Sequence, residues 1–185
     1  ALTKTTNRIY SIALTHERLY HSDSFSDVDM RTYVESFLAN FSSSIGRETV
    51  IHFETEVDSV DLPMTYAIPC GIILNELLTN AIQHGFEGRP RGTVSISFRK
   101  SDDYRYRLVV ADDGVGIPDE RVGDKGSSLG IAIGETLVDQ LGGELSVEVK
   151  GGTRFEILFE LSERELSERE RRGRTTASVV QHHEA

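Results

Sequence analysis

Ile72-Ile73-Leu74-Asn75-Glu76-Leu77-Leu78-Thr79-Asn80-Ala81-Ile82-Gln83-His84-Gly85 is the stretch on which the reading of this chain turns. It has the composition of a buried helix, yet it carries polar groups at helical spacing. Glu76, Asn80 and His84 are four apart and align on one face, while Ile73, Leu77 and Ala81 form an adjoining apolar stripe. Such a helix packs one side into a core and presents a carboxylate, an amide and an imidazole. Taken alone, the pattern fits a solvated polar face equally well.

Upstream, residues 1–22 read as a near-heptad amphipathic helix, with Leu2, Ile9, Ala13, His16 and Tyr20 on one stripe. It starts without a cap, which points to a fragment whose preceding helix is absent. Residues 28–45 read as a second helix, capped by Asp27 or Asp29, with Met30, Tyr33, Val34, Phe37, Leu38 and Phe41 as its apolar face. Gly46 would end it. Residues 49–57 alternate as a strand, and a short extended piece covers 60–62. Pro63 sits near the start of the long helix, and Pro69 implies a kink or a late start to its regular part.

Downstream, residues 85–92 read as a loop, and 93–99 and 104–111 as strands joined by the turn Ser101-Asp102-Asp103. Asp112-Asp113-Gly114-Val115-Gly116-Ile117-Pro118 is a glycine-spaced turn, and 119–128 is polar and charged. Residues 129–141 read as a helix capped by Ser127 or Ser128 and stopped by Gly142-Gly143. Residues 144–149 and 153–161 form a hairpin across Lys150-Gly151-Gly152. The tail from Ser162 carries Glu165/Arg169, Glu168/Arg172 and Glu170/Arg174 pairs and reads as a solvated helical extension that frays.

The bulk properties narrow the classes. A chain of 185 residues, 38% apolar and 27% charged, suits one globular domain with extensions. No run approaches the ~18 apolar residues of a membrane span, and no secretory leader is visible. The single Cys70 excludes an internal disulfide and a cysteine zinc site; a cytoplasmic, reducing compartment is expected. The formal charge of -10 argues against nucleic-acid binding through phosphate contacts. It does not exclude a nucleotide, because helix N-termini and backbone amides make phosphate sites locally.

Three pieces carry the chemistry: the helix with Glu76, Asn80 and His84, the strand end Asp112–Gly116, and Gly126-Ser127-Ser128-Leu129-Gly130-Ile131. Each has a plain reading, since Asp-Asp-Gly is ordinary turn chemistry and isolated glycines punctuate loops. In order and spacing, however, they resemble the N, G1 and G2 boxes of the ATP-binding domain of the GHKL superfamily, which includes sensor histidine kinases, gyrase and chaperone ATPases. Gly151-Gly152-Thr153-Arg154-Phe155 resembles the Gly-Thr-x-Phe that closes that domain. The resemblance covers about residues 28–161. It implies an α/β fold of the two-layer sandwich (Bergerat) kind, a mixed sheet packed on about three helices, preceded by one long amphipathic helix.

The resemblance also assigns roles. ATP and Mg2+ would be the cofactors. Asn80 would bind Mg2+ through its amide oxygen, and Glu76 would polarise a water or support the metal shell, making Glu76 and Asn80 the expected catalytic pair. His84 would face the phosphates. Asp112 would accept a hydrogen bond from the adenine amino group, Gly114 and Gly116 would let the backbone approach, and Thr153 would support the adenine contact. Arg121 and Lys125 are candidate cations in a lid over the phosphates. Gly126, Ser128, Leu129 and Gly130 would bring helix N-terminal amides to them.

Within the superfamily, residues 7–20 look like the second helix of the dimerisation and phosphoacceptor hairpin of the HisKA-2 type. The related HWE group carries a tryptophan, absent here, and a histidine where this chain has Asn75. The chain then divides into a partial hairpin (1–22), an ATP-binding catalytic domain (23–161) and a charged tail (162–185). The implied activity is transfer of the ATP γ-phosphoryl to a histidine, for relay to the aspartate of a response regulator receiver domain. The apolar stripe of the first helix suggests a homodimer; neither nucleic acid nor membrane contact is expected from this segment.

No phosphoacceptor is assigned: His16-Glu17-Arg18 lacks the Thr-Pro that should follow, and His16 fits a second-helix position. The same domain occurs in anti-sigma-type serine kinases, in phosphotransfer proteins with a degenerate ATPase domain, and in ATP-gated dimers. The first helix argues against the first of these, intact Glu76, Asn80 and Asp112 against the second, and length against the third.

Overall fold

The computed structural model describes residues 27–44, 50–101, 104–117, 136–167, 169 and 171. Expectations for the first helix, the Gly46 stop, the Ser127/Ser128 cap and the far tail lie outside these residues. Among them the chain runs through β1 (Asp27–Asp29), α1 (Met30–Ser44), β2 (Val50–Val57), β3 (Asp61–Pro63), α2 (Met64–Asn80), a π-helical turn (Ala81–Gly85), β4 (Arg91–Lys100), β5 (Arg105–Asp112), β6 (Glu144–Val149) and β7 (Thr153–Glu160). Residues 136–140 and 163–167 are also helical.

Five strands form one mixed sheet in the order β2-β4-β5-β7-β6. The β2–β4 pair is parallel and the other three are antiparallel. A parallel pair needs a crossover, and α2 supplies it, packed across the sheet face. β1 and β3 make a separate two-stranded ribbon. The expected α/β architecture, a mixed sheet layered on helices, is thus the one observed.

Alternation fixes which face meets the helices. Val94, Ile96 and Phe98 of β4, Tyr106, Leu108 and Val110 of β5, and Phe155, Ile157 and Phe159 of β7 are all buried. They pair across strands as Phe98–Leu108–Ile157 and Ile96–Val110–Phe155. Against them pack Met30, Tyr33, Val34 and Phe37 of α1 and the nearly all-round apolar α2. Asp29 caps α1, accepting the Thr32 amide at 2.8 Å. The helix α2 begins at Met64 and runs unbroken through Pro69. A late start is therefore excluded.

The tail departs from its expected solvated form. Leu166 packs against the core, Ser162 donates its amide to the Tyr66 hydroxyl at 2.9 Å, and Thr65 donates to Glu165 at 3.2 Å. Arg169 does not settle on Glu165; it pairs with Asp27 at 2.8 Å and donates to the Asp61 carbonyl. The start of the tail thus fastens the β1–β3 ribbon to the beginning of α2. No described helix is long and apolar enough to cross a membrane.

Candidate functional site

The site begins with a break in the β5 pattern. Tyr106, Leu108 and Val110 face the core, and period-2 alternation places Asp112 on that same inner face. It forms the last cross-strand row, Val94–Asp112–Thr153, where the apolar ladder gives way to a carboxylate and a hydroxyl. Thr153 is buried. Two backbone amides hold the carboxylate: Asp112 Oδ1 accepts from Gly114 N at 2.9 Å and from Thr153 N at 3.3 Å. Burial is the largest influence on this carboxyl and pushes its pKa above the ordinary value; the two amides pull it down, Asp113 pushes it up and Arg89 pulls it down least.

The surrounding backbone is too close for side chains. A Cβ on Gly114 would sit 2.3 Å from the Gly85 carbonyl oxygen and 2.7 Å from Asp112 Oδ1. Gly152, at φ 134°, would place one 1.9 Å from the Asp112 carbonyl oxygen. The turn is stitched down on both sides. Val115 N donates to Gly85 O at 2.8 Å. Asp113, facing the other way, accepts the Thr93 amide at 2.8 Å.

The Gly85 carbonyl belongs to the end of the opening helix, so α2 and the Asp112 turn form one wall. Regular α-helix ends at Asn80, and Ala81–Gly85 make a π turn. His84 lies within this π turn, whose backbone geometry differs from the uniform α spacing on which its alignment with Glu76 and Asn80 was read. Exposure grades along the three: Glu76 is 7% exposed, Asn80 half-buried and His84 exposed. A carboxylate this buried rules out a merely solvated polar face.

Glu76 and Asn80 offer hard oxygen donors one turn apart. Two such groups cannot complete an octahedron, so they suit an ion that keeps waters and ligand oxygens. No cluster of three or more His, Cys, Asp or Glu able to hold a metal occurs among the described residues. Cys70 is fully buried and burial pushes its thiol pKa far upward, so it is core. Arg121, Lys125, Gly126, Ser128, Leu129 and Gly130 lie outside the described residues, as does His16.

Structure adds the Gly85 carbonyl and Arg89, which the sequence did not mark, and gives contacts to Gly152 and Asp113, which lay in quoted motifs without a role of their own. A backbone carbonyl leaves no side-chain signal. The Asp112–Asp113 pair did carry one, because alternation sends one carboxylate inward and the other outward. On the opposite sheet face, a groove is lined by Arg99, Arg105, Arg154 and Leu158 among others. Its arginines are engaged with Glu56 (2.7 Å), Glu160 (2.5 Å) and Glu156 (2.8 Å), exposed pairs that contribute little.

Comparison with known proteins adds the following. Residues 67–163 match the family model described as histidine kinase-, DNA gyrase B-, and HSP90-like ATPase. Residues 1–45 match a HisKA-2 model described as histidine kinase. The chain is 30% identical over 149 residues to blue-light-activated histidine kinase 2 of Erythrobacter litoralis, covering 79% of this chain and 43% of that protein. It is 38% identical over 78 residues to the anti-sigma F factor of Geobacillus stearothermophilus, covering 42% of this chain and 51% of that one. The chain therefore spans about half or less of the length of these curated relatives. Its structure resembles the histidine kinase domain of the Erythrobacter litoralis EL346 blue-light-activated kinase, with a TM-score of 0.77 at 28% identity, covering 88% of this chain and 77% of that one.

Proposed function

Because the chain belongs to the histidine kinase-, DNA gyrase B- and HSP90-like ATPase family, we propose that it is the Mg2+-dependent ATP-binding catalytic portion of a sensor histidine kinase. The parent protein would pass the ATP γ-phosphoryl to a histidine and then to a receiver aspartate of a response regulator. The observation that carries this reading is the joining of Asp112 and Glu76–Asn80 in one wall, by way of the Val115 N to Gly85 O bond of 2.8 Å.

Each residue then has a task. Asp112, fixed by two amides, accepts the adenine amino group and so selects the base. Gly114 and Gly116 keep the approach clear of Cβ atoms, and Thr153 supports the base contact. Asn80 and Glu76 present oxygens toward Mg2+, which when bound would neutralise phosphate charge. Transfer would rest on positioning and charge neutralisation more than on covalent participation. His84, exposed one turn on, can reach a phosphate; Arg121, Lys125, Gly126, Ser128, Leu129 and Gly130 are the proposed phosphate contacts on the remaining side.

The match of residues 1–45 to the HisKA-2 model favours a histidine kinase over the anti-sigma serine kinase reading, and supports a homodimer through the first helix. Titration with ATP in Mg2+ should show saturable binding that weakens when the metal is chelated. With γ-labelled ATP the chain alone should take up no acid-labile phosphate, because no acceptor is assigned in it. Supplying a HisKA-2 acceptor helix in trans should restore labelling, and a receiver domain should then remove the label. Labelling of a serine on an added substrate would instead favour the anti-sigma kinase reading.

A further inference from the structure

The loop after the π turn is more closely tied to the Asp112 turn than a surface loop need be. Arg89 donates from Nη1 to the Asp113 carbonyl. Its guanidinium lies 6.0 Å from the centre of the Phe86 ring, and its backbone amide returns to the Phe86 carbonyl at 3.0 Å. Phe86 is itself buried. The ring rests on the Gly92 backbone so closely that a Cβ there would come within 2.1 Å of it. The Arg89 guanidinium therefore sits over a fixed ring while it donates to the base-side turn.

What it grips is specific. The chain bends back after Asp113 so that Gly114 N can reach Asp112 Oδ1. That bend turns the Asp113 carbonyl outward, away from the sheet ladder, and Arg89 supplies its donor. Asp113 itself is pinned by Thr93: the Asp113 amide donates to the Thr93 carbonyl at 3.2 Å, and the Thr93 amide donates to Asp113 Oδ1 at 2.8 Å. Arg89 also places a positive charge near enough to the Asp112 carboxyl to favour its ionised form slightly.

From this geometry we infer that Arg89 is a positioning residue for base recognition: it fixes the Asp113 peptide and thereby the direction in which Asp112 meets the nucleobase. This rests on the nucleotide-site reading above and extends it to a residue outside the set assigned to metal and phosphate. The exposed carbonyl it serves can find water when Arg89 is removed, so the expected loss is in discrimination more than in fold stability.

The test compares the affinities of ATP and inosine triphosphate, which has a carbonyl in place of the adenine amino group, for the 185-residue chain in Mg2+. Wild type should prefer ATP by about tenfold or more, as expected where a site hydrogen-bonds a group that the analogue lacks. Arg89→Ala should lower ATP affinity and leave the inosine nucleotide nearly unchanged, cutting the preference about threefold or more. Arg89→Lys, still able to donate to the carbonyl, should recover most of it. If both affinities fall together, or Lys restores nothing, Arg89 is only structural and the inference is overturned. Unchanged preference in Arg89→Ala against a discriminating wild type overturns the inference alone. Absence of ATP binding by wild type overturns the nucleotide site and the inference with it.

Discussion

Asp112 Oδ1 accepts the backbone amide of Thr153 at 3.3 Å, joining two strand ends 41 positions apart in the chain. The contact brings the first half of the domain and its closing hairpin to one carboxylate. Both acceptor contacts, to Gly114 and Thr153, require only an oxygen with lone pairs. The negative charge itself is what burial opposes.

Asp112→Asn should therefore keep the fold and lose the ligand. With its folded pKa raised, Asp112 contributes most favourably below its unfolded value of about 4, and that contribution is lost as pH rises through the folded value. At neutral pH the amide should melt at the same temperature or slightly higher, by about 2–4 °C per kcal/mol gained. ATP affinity should fall by roughly tenfold or more, the scale of losing one well-placed polar contact. In wild type, the acid limb of ATP affinity should lie above the usual carboxylate range. Calorimetry and nucleotide titration check both; a clearly lower melting temperature for the variant would refute the account.

Asn80→Ala and Asn80→Asp should abolish Mg·ATP binding while leaving the melting temperature close to wild type. Asn80 is half-buried on the site side, whereas Ile73, Leu77 and Ala81 are the buried stripe. Leu77→Ala is the contrast: it should cost about 2–5 kcal/mol of stability. Normal Mg·ATP titration of either Asn80 variant would sink the site assignment.

Neighbouring glycines should respond differently. Gly151 has φ 65° with open space where a Cβ would go, so Gly151→Ala should cost about 1–2 kcal/mol from backbone conformation alone. Gly152→Ala adds a collision with the Asp112 carbonyl and should cost several kcal/mol, or displace the Asp112 strand end and weaken nucleotide binding. Equal denaturation midpoints for the two would contradict the packing.

Removing residues 162–185 should destabilise the domain, because the tail start carries Leu166 and the Arg169–Asp27 pair of 2.8 Å. Arg169→Ala alone should cost about 1 kcal/mol, or roughly 2–4 °C. High salt should shrink that difference. A tail that merely extends into solvent would leave thermal unfolding unchanged on truncation.

Much of this was legible beforehand. The strands 93–99 and 153–161 and the helix face of Met30, Tyr33, Val34 and Phe37 follow from periodicity, because burying one face of a regular element imposes that spacing. The strand β5 runs one residue past the expected 104–111, and that extra step puts Asp112 on the inner face with Tyr106, Leu108 and Val110. Glu76 and Asn80 could be paired by their four-residue interval. The switch from α to π geometry after Asn80, within which His84 lies, has no marker in that interval. The described start of the tail is tied down: Arg169 pairs with Asp27, 142 residues away, in preference to Glu165.

Sequence by itself determined the main strands and helices of the described residues and the spacing of Glu76 and Asn80, since these depend on local repeat and side-chain chemistry; the short β1 strand and the π turn carried no such repeat. Tertiary structure alone decided that the Gly85 carbonyl meets Val115, that Arg89 grips the Asp113 peptide and that Arg169 closes on β1. Those contacts join backbone atoms or distant side chains, and no local pattern encodes which of many available partners will be nearest once the chain is packed.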